Sequence, residues 1–275
     1  MGKYHKNYET CEVTIDGQVA TIRIVPPTSL ESATSDLHWD LGEIFSDLRG
    51  DTSTRVIVFT GTDDEFYVLP SGEFFDDPAN REYVADPAGS WGTFMGIIRT
   101  HQAMAEIEKP IVGKVNGPAL GFGSSLVFAC DLIVAVDTSP VIDIHMGMGE
   151  HDGGPNFGIV TGDGGSSLIP LFMTPAKAKE FLMLAKPYTG RELADMNVIN
   201  AAVPADELDA YVDDMVERLL ARSAYALAWT KRTANRRVAD QLNKTLDSAA
   251  AYEMVNFLHI DRLEGNDPRS LDGSS

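Results

Sequence analysis

Between Lys109 and Gly165 the chain passes from a short apolar strand through a glycine-spaced loop into an uncharged helix, an order that leaves little freedom in how it folds. Ile111 to Val115 reads as strand, Asn116-Gly117-Pro118 turns it, and Gly121-Phe122-Gly123 leads into the apolar run Ser124 to Cys130. A second buried strand, Leu132 to Val136, follows. Strand, glycine loop and buried helix in that order aim the unpaired N–H groups of a helix N-terminus into a cleft. Such groups can hold an oxygen that gains negative charge during a reaction. A tight turn into a core helix is the plainer reading of the same residues.

The flanking sequence predicts an α/β chain. CEVTIDGQVATIRIV alternates apolar and polar residues on both sides of Asp16-Gly17, the pattern of a hairpin. Leu37, Leu41, Ile44, Phe45 and Leu48 recur at helical spacing, and Arg55 to Gly61 reads as a buried strand. Helices are expected over Trp91–Glu108, Pro175–Lys186, Gly190–Asn197, Asp206–Ala221, Ala224–Arg237 and Ala239–Glu264, with a polar tail after Gly265. Helices thus take over after the last strand, which divides the chain into a core over residues 1–203 and a helical region over 204–275.

At 275 residues and 44% hydrophobic, the chain can bury a large core. Its net charge of −19 argues against nucleic acid and anionic membranes as partners, because both call for a basic surface. No apolar run approaches the roughly 20 residues of a membrane span. A polar N-terminus and two unframed cysteines, Cys11 and Cys130, fit a reducing cytoplasm. The bases are uneven: Thr62 to Asn80 holds six acids and no Lys or Arg, whereas Arg218 to Arg237 holds six Lys/Arg. That second stretch is either a solvated helix face or a landing site for an anionic group such as a phosphate.

The segments DLHWDL, RVIVFTG, EKPIVGKVNGPALGFG, CDLIVA, GIVTGDGG, PAKAKEFLM and WTKRTANR together resemble the crotonase superfamily, the enoyl-CoA hydratase/isomerase family, over nearly the whole chain. The resemblance implies a crotonase-like spiral of ββα turns, with C-terminal helices that build a homotrimer, often doubled to a hexamer. It implies an enolate-like anion held by two backbone N–H groups, with a CoA thioester as substrate and no separate cofactor. One donor falls on Phe122, beside Gly121. The other falls in the loop Leu69-Pro70-Ser71 with Pro70 at the aligned position, and since proline has no N–H, either the loop is shifted so that Leu69 or Ser71 serves, or this half of the hole is missing. Of the two glutamates typical of hydratases, the first position holds Ser125, which cannot act as a carboxylate base. The region of the second is altered by what looks like an insertion over Glu150 to Phe157.

Asp143-Ile144-His145 and the turn Gly162-Asp163-Gly164 resemble a branch of the superfamily containing 6-oxocamphor hydrolase, which cleaves a β-diketone. In that branch a histidine on the first helix, here His38, pairs with an aspartate at the position of Asp143. A carboxylate that orients an imidazole lets it take a proton from water. The inserted loop adds Glu150, His151 and Asp152 as rim candidates, for which an exposed loop tip is the plainer account. Glu253 is expected to pack or cap, Asp163 to fix its turn, and Met146, Met148, Phe66, Phe74 and Phe75 either to line an acyl pocket or to fill the core. HxxxxEHD lacks helical HExxH spacing, so no metal is expected.

Three functions follow. One is a CoA-thioester enzyme with its acid–base groups moved to Asp143, His145 or Glu150. A second is a β-diketone C–C hydrolase using His38 and Asp143 with water. The third is a non-catalytic relative, made plausible by Ser125 and Pro70.

Overall fold

The computed structural model describes residues 8–29, 31–69, 86–148 and 158–257. The predicted hairpin forms as β1 (Cys11–Asp16) and β2 (Val19–Ile24), paired antiparallel about Gly17. A turn of π-helix over Ser32–Asp36 runs into α1 (Leu37–Gly50), which buries Leu37, Leu41, Ile44, Phe45 and Leu48 as their spacing requires. Strand β3 (Val56–Thr60) is buried along its whole length.

Helix α2 (Pro87–Glu106) starts a turn earlier than the apolar pattern alone predicts, because Asp86 caps it by accepting from the Ala88 and Gly89 N–H groups. Then come β4 (Ile111–Val115), β5 (Ala119–Leu120), α3 (Phe122–Ala129), β6 (Leu132–Val136) and β7 (Pro140–Ile142). The chain continues through α4 (Gly165–Phe172), α5 (Pro175–Met183), β8 (Tyr188–Thr189), α6 (Gly190–Asp195) and β9 (Ala201–Val203). It closes with α7 (Leu208–Leu220), α8 (Ala224–Ala234) and α9 (Arg236–Phe257).

The main sheet has the order β1-β2-β3-β4-β6-β9, parallel except for the hairpin. A smaller sheet joins β5, β7 and β8. Central parallel strands are covered on both faces, so their side chains divide by parity. Ile57, Phe59, Ile111, Ile133 and Ala135 face the large core, while Val56, Val58, Val112, Val134 and Val136 face Leu208, Val212 and Val216 of α7. Each Val or Leu so buried stabilises the sheet by about 1.5–3 kcal/mol before ordering costs. On the opposite side α9 packs against α2 and α4, which carries its buried stripe of Leu242, Leu246, Ala249, Ala250 and Glu253 toward the centre of the molecule. Among the described residues no helix is long and apolar enough to cross a membrane.

Candidate active site

The loop after β4 and β5 ends at Gly121, whose φ of +55° and ψ of −120° exclude an ordinary L side chain. This backbone turns the first amides of α3 out of the sheet. The Gly121 N–H donates to Ile142 O at 2.9 Å, and the Ser124 and Ser125 N–H groups both donate to Gly121 O. The Phe122 N–H, first in the helix, has no intrahelical acceptor by geometry and meets none among the described residues. Gly121 and Phe122 line an apolar pocket with Tyr67, Leu69, Ile97, Met148 and Ile159. The pocket opens beyond the carboxyl ends of the strands, where open α/β sheets place their ligands.

One wall is polar and almost fully buried. His145 Nδ1 lies 2.6 Å from Asp143 Oδ1, while its Nε2 is 3.4 Å from both Asp163 Oδ2 and Glu253 Oε1. Asp163 is held from behind: its Oδ1 accepts from the Ser125 hydroxyl at 2.7 Å and from the Gly165 N–H at 3.4 Å. Gly165 is required here, since a Cβ on it would lie 2.3 Å from Asp143 Oδ2. Burial alone would keep the His145 ring neutral, yet Asp163 and Asp143 beside it hold its pKa well above 6.5, so it is an imidazolium at neutral pH. Burial pushes the Glu253 carboxyl up to about 7 against the pull of His145, with Asp163 and Asp143 adding to the rise. Glu253 Oε2 has no partner among the described residues. A carboxyl that titrates near neutrality beside a cation, in a buried pocket wall, is equipped to give and take a proton.

Asp143, His145 and Asp163 also bring one ligand atom each within 4.8 Å of one another, the separation a metal ion would need. Within this cluster His145 Nδ1 shares a proton with Asp143 Oδ1 at 2.6 Å, and Asp143 Oδ2 has no partner among the described residues.

The pocket has a second polar pair. His38 Nδ1 lies 2.9 Å from the Thr93 carbonyl oxygen, which can only accept, so Nδ1 carries the proton. Burial lowers the His38 pKa to about 3, leaving a neutral ring with a lone pair on Nε2. The ring meets the Phe122 ring edge to face, 4.3 Å between centroids.

The expected partnership of His38 with Asp143 is not made. The Thr93 carbonyl takes the imidazole proton and His145 takes the carboxylate, because the three-residue turn His145–Gly147 folds His145 back over Asp143. Leu69, Gly121, Phe122, His38 and His145 line the pocket, with Asp143 directly behind His145. Pro70, Ser71, Phe74, Phe75, Glu150, His151 and Asp152 lie outside the described residues. Met148 lines the pocket, Phe66 is core, and Met146 is 42% exposed.

The basic stretch after Arg218 is not at the pocket. Lys231 is buried, with its Nζ 2.7 Å from Asp131 Oδ2, and Arg232 pairs with Glu108 at 2.9 Å. Lys231 also reaches the Met104 and Lys109 carbonyls around the C-terminal end of α2, whereas the pocket is lined by Thr93, Phe94 and Ile97 of the same helix, about 10 Å or more away at 1.5 Å per residue.

Asp163, Glu253, Thr93 and Tyr67 are pocket residues that sequence reasoning did not single out as such. Asp163 does fix its turn, and it also faces His145. For Glu253 a signal existed: a carboxylate on the buried stripe of α9, one turn past Ala249 and Ala250.

Residues 14–265 match the family described as Enoyl-CoA hydratase/isomerase. A crotonyl-CoA hydratase of Syntrophomonas wolfei is 24% identical over 259 residues, covering 94% of both chains. A carnitinyl-CoA dehydratase of Escherichia coli is 26% identical over 264 residues, again covering 94% of each. Among solved structures, an enoyl-CoA hydratase/isomerase from Mycobacterium paratuberculosis superposes with a TM-score of 0.82 at 25% identity, over 95% of this chain and 99% of that one. A β-diketone hydrolase from Anabaena sp. PCC 7120, bound to (S)-3-oxocyclohexyl acetic acid, superposes with a TM-score of 0.79 at 21% identity, over 92% and 96%.

Proposed function

The chain belongs to the enoyl-CoA hydratase/isomerase family, and on that premise we propose that it activates the carbonyl of an acyl thioester and stabilises the resulting enolate. The carbonyl oxygen sits against the Phe122 N–H, with the second donor supplied by the loop at Leu69 to Ser71. Proton transfer at the neighbouring carbon falls to Glu253, with the His145 imidazolium, held by Asp143 and Asp163, balancing the charge. This set replaces the two-glutamate pair. The observation that carries the reading is the Phe122 N–H, unpaired among the described residues, in the same apolar pocket as a carboxyl poised near pH 7. The curated relatives, both named for CoA-thioester reactions, support the substrate class.

The test is turnover of a panel of enoyl- and hydroxyacyl-CoA thioesters. Activity should appear on at least one, and Glu253→Gln should lower kcat by about 10²–10⁴-fold with little change in KM. Wild-type activity in that variant would contradict the role of Glu253.

A second reading is hydrolysis of the C–C bond between two carbonyls, with water adding to one carbonyl and the other carbon leaving as an enolate at Phe122. It is favoured by one observation: among the described residues no Lys or Arg lines the pocket to meet a nucleotide phosphate. Cleavage of a cyclic 1,3-diketone to a keto acid, followed by chromatography, separates the two readings. For assembly, the exposed Tyr225 and Trp229 on α8 support self-association through the C-terminal helices, which sedimentation would measure.

A further inference from the structure

His145, Asp163 and Glu253 all line the pocket, whereas Asp143 stands behind His145 and accepts from its Nδ1. Nε2 is thereby left beside two carboxylate oxygens, Asp163 Oδ2 and Glu253 Oε1, each 3.4 Å away. A charge-assisted N–H···O bond closes to about 2.7–2.9 Å, so neither oxygen is at that distance. Donors shared by one tetrahedral ion, with bonds of about 2.0–2.2 Å, lie roughly 3.4 Å apart. That is the spacing found.

Unpaired oxygens in the same wall point to a cation as well. Glu253 is 4% exposed and Asp143 is wholly buried, yet Glu253 Oε2 and Asp143 Oδ2 have no partner among the described residues. Three carboxyl groups surround one imidazole, and among the described residues no Lys or Arg lines the pocket to balance them. Buried carboxylates are paired or coordinate metals. The contact from Nδ1 to Asp143 is also the arrangement that orients metal-binding histidines, because it fixes the tautomer that frees Nε2. The donors are scattered along the chain, so no short motif marks them.

We propose that His145 Nε2, Asp163 and Glu253 form a site for one divalent transition ion such as Zn²⁺, with Asp143 as the positioning residue. On binding, the ion takes the place of the Nε2 proton, which leaves to solvent. One imidazole nitrogen among the donors suits Zn²⁺ better than Mg²⁺ or Ca²⁺, which take oxygen ligands. The ion occupies the groups assigned to proton transfer, so, resting on that reading, it is a reversible inhibitor.

The experiment strips the full chain with EDTA and titrates it, without substrate, with zinc chloride by calorimetry and with cobalt chloride by visible absorption. One ion per chain should bind, and cobalt should show the intense bands of a low-coordinate site. Asp143→Asn should weaken zinc by about 10–100-fold. Glu253→Gln, which removes a buried carboxyl and keeps the side chain's shape, should weaken it by at least about tenfold, with circular dichroism confirming the fold. No heat at millimolar zinc would overturn the site. So would wild-type affinity in either variant, since exposed acids elsewhere would then account for the binding. Both results leave the thioester reading intact, because the enoyl-CoA panel is run without added metal. In that assay kcat should fall in step with zinc occupancy and recover with EDTA, and turnover unchanged at full occupancy would overturn the inhibition.

Discussion

The Ser125 hydroxyl donates to Asp163 Oδ1 at 2.7 Å and so anchors the acid that faces His145. Both side chains are buried. Ser125→Ala would leave one Asp163 oxygen with only the long Gly165 N–H contact. The expected loss is about 1–3 kcal/mol of stability together with a lower kcat, read by thermal melting and turnover. An unchanged melting point would show that Asp163 does not depend on Ser125.

Glu253 makes stability depend on pH with a definite sign. In the native protein its carboxyl holds a proton up to about pH 7, against an ordinary value of 4.5 when unfolded. Between those values the native state binds more protons than the unfolded chain, so stability falls as pH rises through that window. Glu253→Gln should flatten the profile there and gain on the order of 1–3 kcal/mol relative to wild type at pH 8. Denaturant titrations at a series of pH values measure this, and parallel profiles for the two proteins would contradict it.

His145 works in the same direction from the opposite charge. Its folded pKa stands well above 6.5, so its contribution is complete below that value and is lost as pH rises through the folded pKa. Imidazole nitrogen chemical shifts should report a protonated ring at pH 7.5, and Asp143→Asn should lower the titration point. Removing the cation altogether in His145→Gln leaves Asp143, Asp163 and Glu253 facing one another without compensation, at a cost of about 3–5 kcal/mol. A neutral ring in the wild-type protein at pH 7.5 would refute the charge assignment.

At the acid end two other histidines take over. Burial lowers His38 to about 3 and His101 to about 4, both far below 6.5. The unfolded chain therefore gains protons first as pH falls, and stability drops from about pH 6.5 downward. His101→Phe should reduce that acid slope by about one proton while leaving the slope above pH 7 intact, as measured by urea midpoints. An unaltered acid slope would mean that His101 already carries a proton in the native protein.

The sheet was legible because burial in a parallel sheet leaves an unmistakable trace: Val56 to Thr60, Ile111 to Val115 and Leu132 to Val136 all fall where short apolar runs predict. The turn into α3 was legible for a similar reason, since Gly121 takes a backbone conformation that only glycine tolerates. Helix ends were less so, as at α2, where the Asp86 cap rather than the apolar pattern sets the start. In the site, the sequence pointed to His38, Asp143 and His145 but not to their pairing. Pairing depends on a one-turn fold at His145–Gly147 and on a backbone carbonyl at Thr93, and carbonyls carry no sequence signal. Asp163 and Glu253 carry no catalytic signal in the sequence, because a lone acid in a turn or a helix is usually structural. Only convergence in space brings them to one imidazole, from 18 residues away for Asp163 and 108 for Glu253.

The most direct test of the account is a crystal structure with a non-reactive acyl thioester in the pocket. The prediction is a thioester carbonyl oxygen about 2.7–3.1 Å from the Phe122 nitrogen, with Glu253 beside the adjacent carbon. A carbonyl bound elsewhere, with the Phe122 N–H bonded to the protein's own backbone, would contradict it.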